Sequence, residues 1–197
     1  VSSRTPDLHG WVAHLRQVAG EDCPTGPRPP DEAWGAVDLR RAPAAQLWRV
    51  MDDAPTAWRD RVGQIPGLRW SAEGPLLESS TSDAVEVWVD SELSVLHAAH
   101  RIERVLRDPV LGERIASAIR WHLEFTGTEN ATHRPWAIHA FLLHGTPEAR
   151  FFAEGQLHAL EAHGPDPVSR WILRDAAGEL ARVAEGGRGA EAPVHRG

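Results

Sequence analysis

Apolar residues recur at helical spacing through the second half of the chain. Val168, Trp171, Ile172, Ala176, Leu180 and Val183 form one stripe in steps of three and four, and Leu111, Ile115, Ala118 and Ile119 form another. The segment 91–107 carries two stripes, Leu93 with Leu96 and Val95 with Ala99, Ile102 and Leu106, which predicts a helix covered on two sides. The punctuation fits this pattern. Asp108-Pro109, Thr146-Pro147 and Asp166-Pro167 each set an N-capping side chain before a proline at the first helical position. Gly145 and Gly164 stand where the preceding helices should end. Helices are predicted near 91–107, 109–124, 135–144, 147–163 and 167–184, with connections short enough to make consecutive helices antiparallel neighbours.

The N-terminal third is less regular. Helices are predicted over 7–19, 43–52 and 55–64, with a Pro-rich linker at 20–30 and a loop at 66–83. Val85, Val87 and Val89 alternate with Glu86 and Trp88, which predicts a short extended segment near 84–89. The expected organisation is an N-terminal helix and linker over 1–35, a mainly α domain of antiparallel helical hairpins over 36–184, and a disordered tail over 185–197.

Composition narrows the possible roles. With 197 residues, 42% of them hydrophobic, the chain can bury a substantial core. No apolar run approaches the length of a membrane span. Residues 1–7 hold no apolar stretch of the secretory-signal type, and the single Cys23 rules out an internal disulfide framework and a Cys-rich zinc site. A cytoplasmic location is the expectation. The formal net charge of -7, with no basic block, argues against a nucleic-acid partner. Phosphate-loop, dinucleotide-binding and serine-hydrolase motifs are absent from the sequence.

All 21 basic residues other than His are Arg, and Tyr is missing, a usage typical of GC-rich coding. Against that drift, the lone asparagine, Asn130, falls in the segment 121–144, together with His122, His133, His139 and His144. His97, His100, His122, His139 and His158 all fall on apolar helix faces. A buried imidazole must find a hydrogen-bond partner, and near neutral pH it can also serve as base or ligand. His97 and His100, three residues apart, could share a metal ion with Glu92 or Glu124. His122 and Glu124, two apart, point opposite ways on a helix.

The segment 126–134 is the longest break in the predicted array. Asn130 and Thr132 suit a turn or cap before Pro135, whereas Asn130, His133 and Arg134 could line one end of a pocket walled by Trp136 and His139. Arg134 would favour a carboxylate or phosphate there.

Three stretches share an apolar-His-Ala core: S-V-L-H-A-A-H (94–100), W-A-I-H-A-F-L-L-H (136–144) and G-Q-L-H-A-L-E-A-H (155–163). With W-H-L-E-F-T-G-T-E-N-A-T-H-R-P-W-A-I-H-A-F, they make residues 85–184 resemble the α/α-toroids, the helical-hairpin architecture of squalene cyclases and protein prenyltransferases. The chain lacks the family's Q-x-x-D-G-x-W repeat, its D-x-D-D acid motif and its Asp/Cys/His zinc set. The resemblance therefore implies a fold and transfers no catalytic residue. An incomplete toroid would expose an apolar flank, a place for a homo-oligomer partner.

Two functional readings stand. One is a non-catalytic scaffold or a domain that binds a small molecule or partner. The other is an enzyme of hydrolase or lyase/isomerase type, with or without metal, whose pocket gathers His97, His122, Asn130, His139 and His158.

Overall fold

The computed structural model describes residues 7–21, 29, 43–53, 58–70, 73–78, 84–126 and 134–188. Among them are eight helices: α1 (Leu8–Ala19), α2 (Pro43–Asp53), α3 (Trp58–Val62), α4 (Val85–Leu106), α5 (Pro109–Phe125), α6 (Ile138–His144), α7 (Pro147–His163) and α8 (Pro167–Arg188). The one β feature among the described residues is an isolated bridge between Leu68 and Leu77. The mainly α class is as the periodicity predicts. No helix among the described residues is long and apolar enough to cross a membrane.

The capping pairs act as their chemistry requires. Asp108 Oδ1 accepts from the Val110 amide at 3.0 Å, Thr146 Oγ1 from Ala149 at 3.2 Å, and Asp166 Oδ1 from Ser169 at 2.6 Å. Gly145, at φ 80°, closes α6 in the left-handed region that a Cβ disfavours.

Helix α4 lies in the middle of the core, and both of its predicted stripes are buried up to Ile102, with Leu106 partly so. Leu93, Val95, Leu96 and Ala99 are fully enclosed. It packs against α2, α5 and α6. The short α6 is equally central and touches α4, α5, α7 and α8. Consecutive helices are not always partners: α7 lies on α5 and α6, whereas α8 lies on α1 and α6.

The extended segment expected near 84–89 is instead the first turn of α4. Val85 and Val87 are exposed, Trp88 packs partly buried against the core, and Val89 is the first residue of the segment to be buried in it. Their alternation is therefore a surface coincidence, overridden by the helical period that runs on from Val89. The N-terminal boundary near 35 does not separate two cores, because Val12, Leu15 and Ala19 of α1 join the same buried cluster as α8. Residues 185–188, expected in the tail, complete α8, while 189–197 and most of the 20–30 linker lie outside the described residues.

Helix α6 begins at Ile138, not at Pro135. Ala137 takes a left-handed conformation (φ 58°, ψ 12°), so the chain turns once between Pro135 and the helix.

Candidate functional site

Two buried polar clusters grow from α4. The first surrounds Glu92, which is fully enclosed. Its carboxylate accepts from the backbone amides of Leu76 at 2.7 Å and Leu77 at 2.6 Å, and lies 3.4 Å from His122 Nε2. His122 Nδ1 pairs with Thr126 Oγ1 at 2.9 Å. Beside it, Arg114 on α5 donates to the carbonyls of Arg69, Gly74 and Pro75 at 2.9, 2.7 and 2.6 Å. The segment also carries its own backbone bonds, Arg69 N to Leu76 O at 2.7 Å and Glu78 N to Gly67 O at 2.8 Å. Charge-assisted bonds of this kind fasten the described stretches 67–70 and 73–78 to the helices.

The second cluster surrounds His97, also fully buried. Its Nδ1 accepts the backbone N–H of Ala137 at 3.2 Å, and its Nε2 lies 2.9 Å from Asp175 Oδ2 on α8. An amide pointing at Nδ1 requires a lone pair there, so the proton sits on Nε2 and is donated to Asp175. Asp175 in turn meets Arg101 at 2.9 Å. Glu179, one turn on, pairs with Arg104 at 2.9 Å, with Arg101 at 3.6 Å and with Arg182. Indoles enclose the imidazole: Trp48, Trp136 and Trp171 have ring centroids 5.5, 5.6 and 6.2 Å from His97. Arg101 lies over the Trp48 ring at 5.4 Å, a cation–π arrangement.

His139 stands 4.3 Å from His97 and 4.8 Å from His100, ring centre to ring centre. It is fully buried, and neither of its ring nitrogens has a hydrogen-bond partner among the described residues. The same holds for Nδ1 of His100. Burial holds all three imidazoles below their usual pKa. His100 is pushed to about 3, and His139, with His97, His100, Arg101 and Arg104 close by, lies well below. For His97, burial outweighs the opposing pull of Asp175. The three rings are therefore neutral near pH 7.

The structure brings together His97, His100, His139 and Trp136 from the expected pocket. It places His122 in the other cluster, with Glu92, and leaves His158 exposed on α7. Arg134 lies between Asp90 and Asp166, at 3.8 and 3.7 Å, so nearby carboxylates offset the charge expected to attract an anion. Asn130, Thr132 and His133 lie outside the described residues.

The expected metal pair does not suit a metal. Both nitrogens of His97 are already engaged, Glu92 is turned to the 76–77 backbone, and Glu124 faces solvent. Among the described residues, no group of three or more His, Cys, Asp or Glu side chains is arranged to hold an ion.

Sequence reasoning missed Trp48, Arg101, Asp175, Glu179 and Gln156. A signal for three of them, Arg101, Asp175 and Glu179, was present in two polar stripes at helical spacing, His97-Arg101-Arg104 on α4 and Asp175-Glu179-Arg182 on α8, the first basic and the second led by two acids. Trp48 had no such signal, because its short helix shows no partner in the sequence.

Compared with family models, curated proteins and solved structures, the chain matches none.

Proposed function

We propose that this chain is a non-catalytic helical binding domain that receives a small neutral molecule between α4 and α6, at His100 and His139. The observation that carries the reading is His139. A neutral imidazole has one N–H to give and one lone pair to fill. Protein interiors satisfy about 90% or more of such groups, and each one left open costs roughly 1–3 kcal/mol. Both nitrogens of His139 lack a partner among the described residues, and His100 Nδ1 beside it does too. The complement is a group that offers a donor and an acceptor together, such as an amide or a hydroxyl. The indole of Trp136 and the ring of His97 favour an apolar or aromatic body on that molecule.

Charge and pKa argue for binding over acid–base catalysis. A general base works best with a pKa near the working pH, whereas burial drives these imidazoles far below it. The lone pair of His97 is taken by Ala137. The carboxylates of Asp175 and Glu179 are matched by Arg101, Arg104 and Arg182, which leaves little net charge to attract an ion.

The test is titration of the full chain with benzamide, phenol and benzyl alcohol, following the ring ¹⁵N resonances of the histidines. At least one probe should shift His139 and His100 saturably, and His139→Leu should abolish the effect. If no probe moves either ring, or if the shifts persist in His139→Leu, the reading fails.

A further inference from the structure

The peptide unit joining Trp136 to Ala137 is gripped at both ends by buried side chains. Its carbonyl accepts from Gln156 Nε2 on α7 at 3.1 Å, and its N–H donates to His97 Nδ1 on α4 at 3.2 Å. The residue that follows the peptide, Ala137, sits at φ 58°, a region that residues with a Cβ enter reluctantly. The turn is strained locally and depends on its partners. His97 can hold it in one state alone, with a lone pair on Nδ1 and the proton on Nε2 facing Asp175. A proton added to Nδ1 would set a donor against a donor.

We propose that this contact is an acid-sensitive latch: protonation within the His97–His139–His100 cluster releases the Trp136–Ile138 turn, and with it the start of α6, from α4. The latch acts through His97, whose nitrogens are both engaged, and does not depend on a ligand at His100 and His139.

Burial favours release: it keeps His97 neutral in the closed state against the pull of Asp175 and Glu179. Facing the cluster are Asp175 and Glu179 from α8, Arg101 and Arg104 from α4, and the imidazoles themselves. Among described side chains, α2 and α7 present the neutral Trp48 and Gln156 to this region. Both carboxylates are also paired with guanidinium groups, which tempers the pull they exert on an imidazolium.

The direction with pH follows from the lowered pKa values. Below pH 6.5 the released or unfolded chain takes up protons that the closed state refuses, so the closed state is fully stable above that pH and loses ground as pH falls. Each imidazole kept neutral shifts the equilibrium about tenfold per pH unit.

The experiment is amide hydrogen exchange on the full chain, expressed as protection factors at pH 7 and pH 5. Protection at Ala137 and Ile138 should fall at least about a hundredfold. In His97→Gln, which keeps an acceptor and a donor but cannot titrate, the fall should be at least about tenfold smaller. Unchanged protection in the parent, or an undiminished fall in the variant, overturns the latch. Should the variant not fold, the His97 ring ¹⁵N resonances of the parent decide. An unaltered Nε2–H tautomer for as long as Ala137 stays protected supports the latch, whereas protonation of Nδ1 with Ala137 still protected overturns it.

Discussion

Glu92 and His97 lie about one and a half turns apart on the same helix. Both are fully buried, yet they anchor clusters of different character. Around Glu92, two backbone amides meet the carboxylate and three carbonyls meet Arg114, so strong polar groups are spent on fastening a segment that has a single β-bridge of its own. Around His97 the polar groups are matched across α4 and α8, but two neighbouring imidazoles leave three nitrogens open, against one, His122 Nε2, beside Glu92. Closed polar networks hold a fold together, whereas open ones cost stability and persist where something besides stability requires them.

The largest expected effect would break the Glu92 side of this comparison. Glu92→Ala strands two buried amides and removes the anion beside His122, so urea unfolding should show a loss of about 3–5 kcal/mol. A loss below about 1 kcal/mol would mean that the 67–78 segment is held by other means. Next, Arg114→Met keeps much of the side-chain volume but gives up three charge-assisted bonds, with an expected loss of about 2–3 kcal/mol. Increased proteolytic nicking within 67–78 should accompany it.

On the open side the sign reverses. His139→Leu is close to volume-conserving and deletes two unmatched nitrogens, so it should raise stability by about 1–3 kcal/mol in the same assay. A clear loss would show that His139 is satisfied after all. The smallest effect belongs to Ala137→Gly. Relief at φ 58° outweighs the extra freedom of the unfolded glycine, for a gain of up to about 1 kcal/mol in thermal or urea unfolding.

Much of the fold was legible in the chain itself. Pro-started segments with a 3.6-residue apolar period name α5 and α7 almost to the residue and the start of α8, because capping and periodicity are local. The start of α4 was misread, since three valines at alternate positions look the same on a strand as on an exposed helical turn. The turn before α6 was missed because Ala137 adopts its backbone conformation through contacts from α4 and α7, which no neighbouring residue announces. For the site, His97, His139 and Trp136 could be singled out from apolar faces and from the repeated His-Ala core, of which the 94–100 and 136–144 copies do meet. The third copy points outward at His158, as three residues of similarity cannot fix a side chain's direction. That Asp175 would choose His97 required knowing that α8 docks beside α4, information held in the tertiary arrangement alone.

Helix α6 has seven residues, yet four other helices lean on it. A rod of two turns does not survive alone in water, because nucleating it fixes more dihedral angles than it gains bonds. It therefore holds its shape only as a keystone does, through the walls that press on it. Losing it would loosen the whole vault at once rather than fray a single corner.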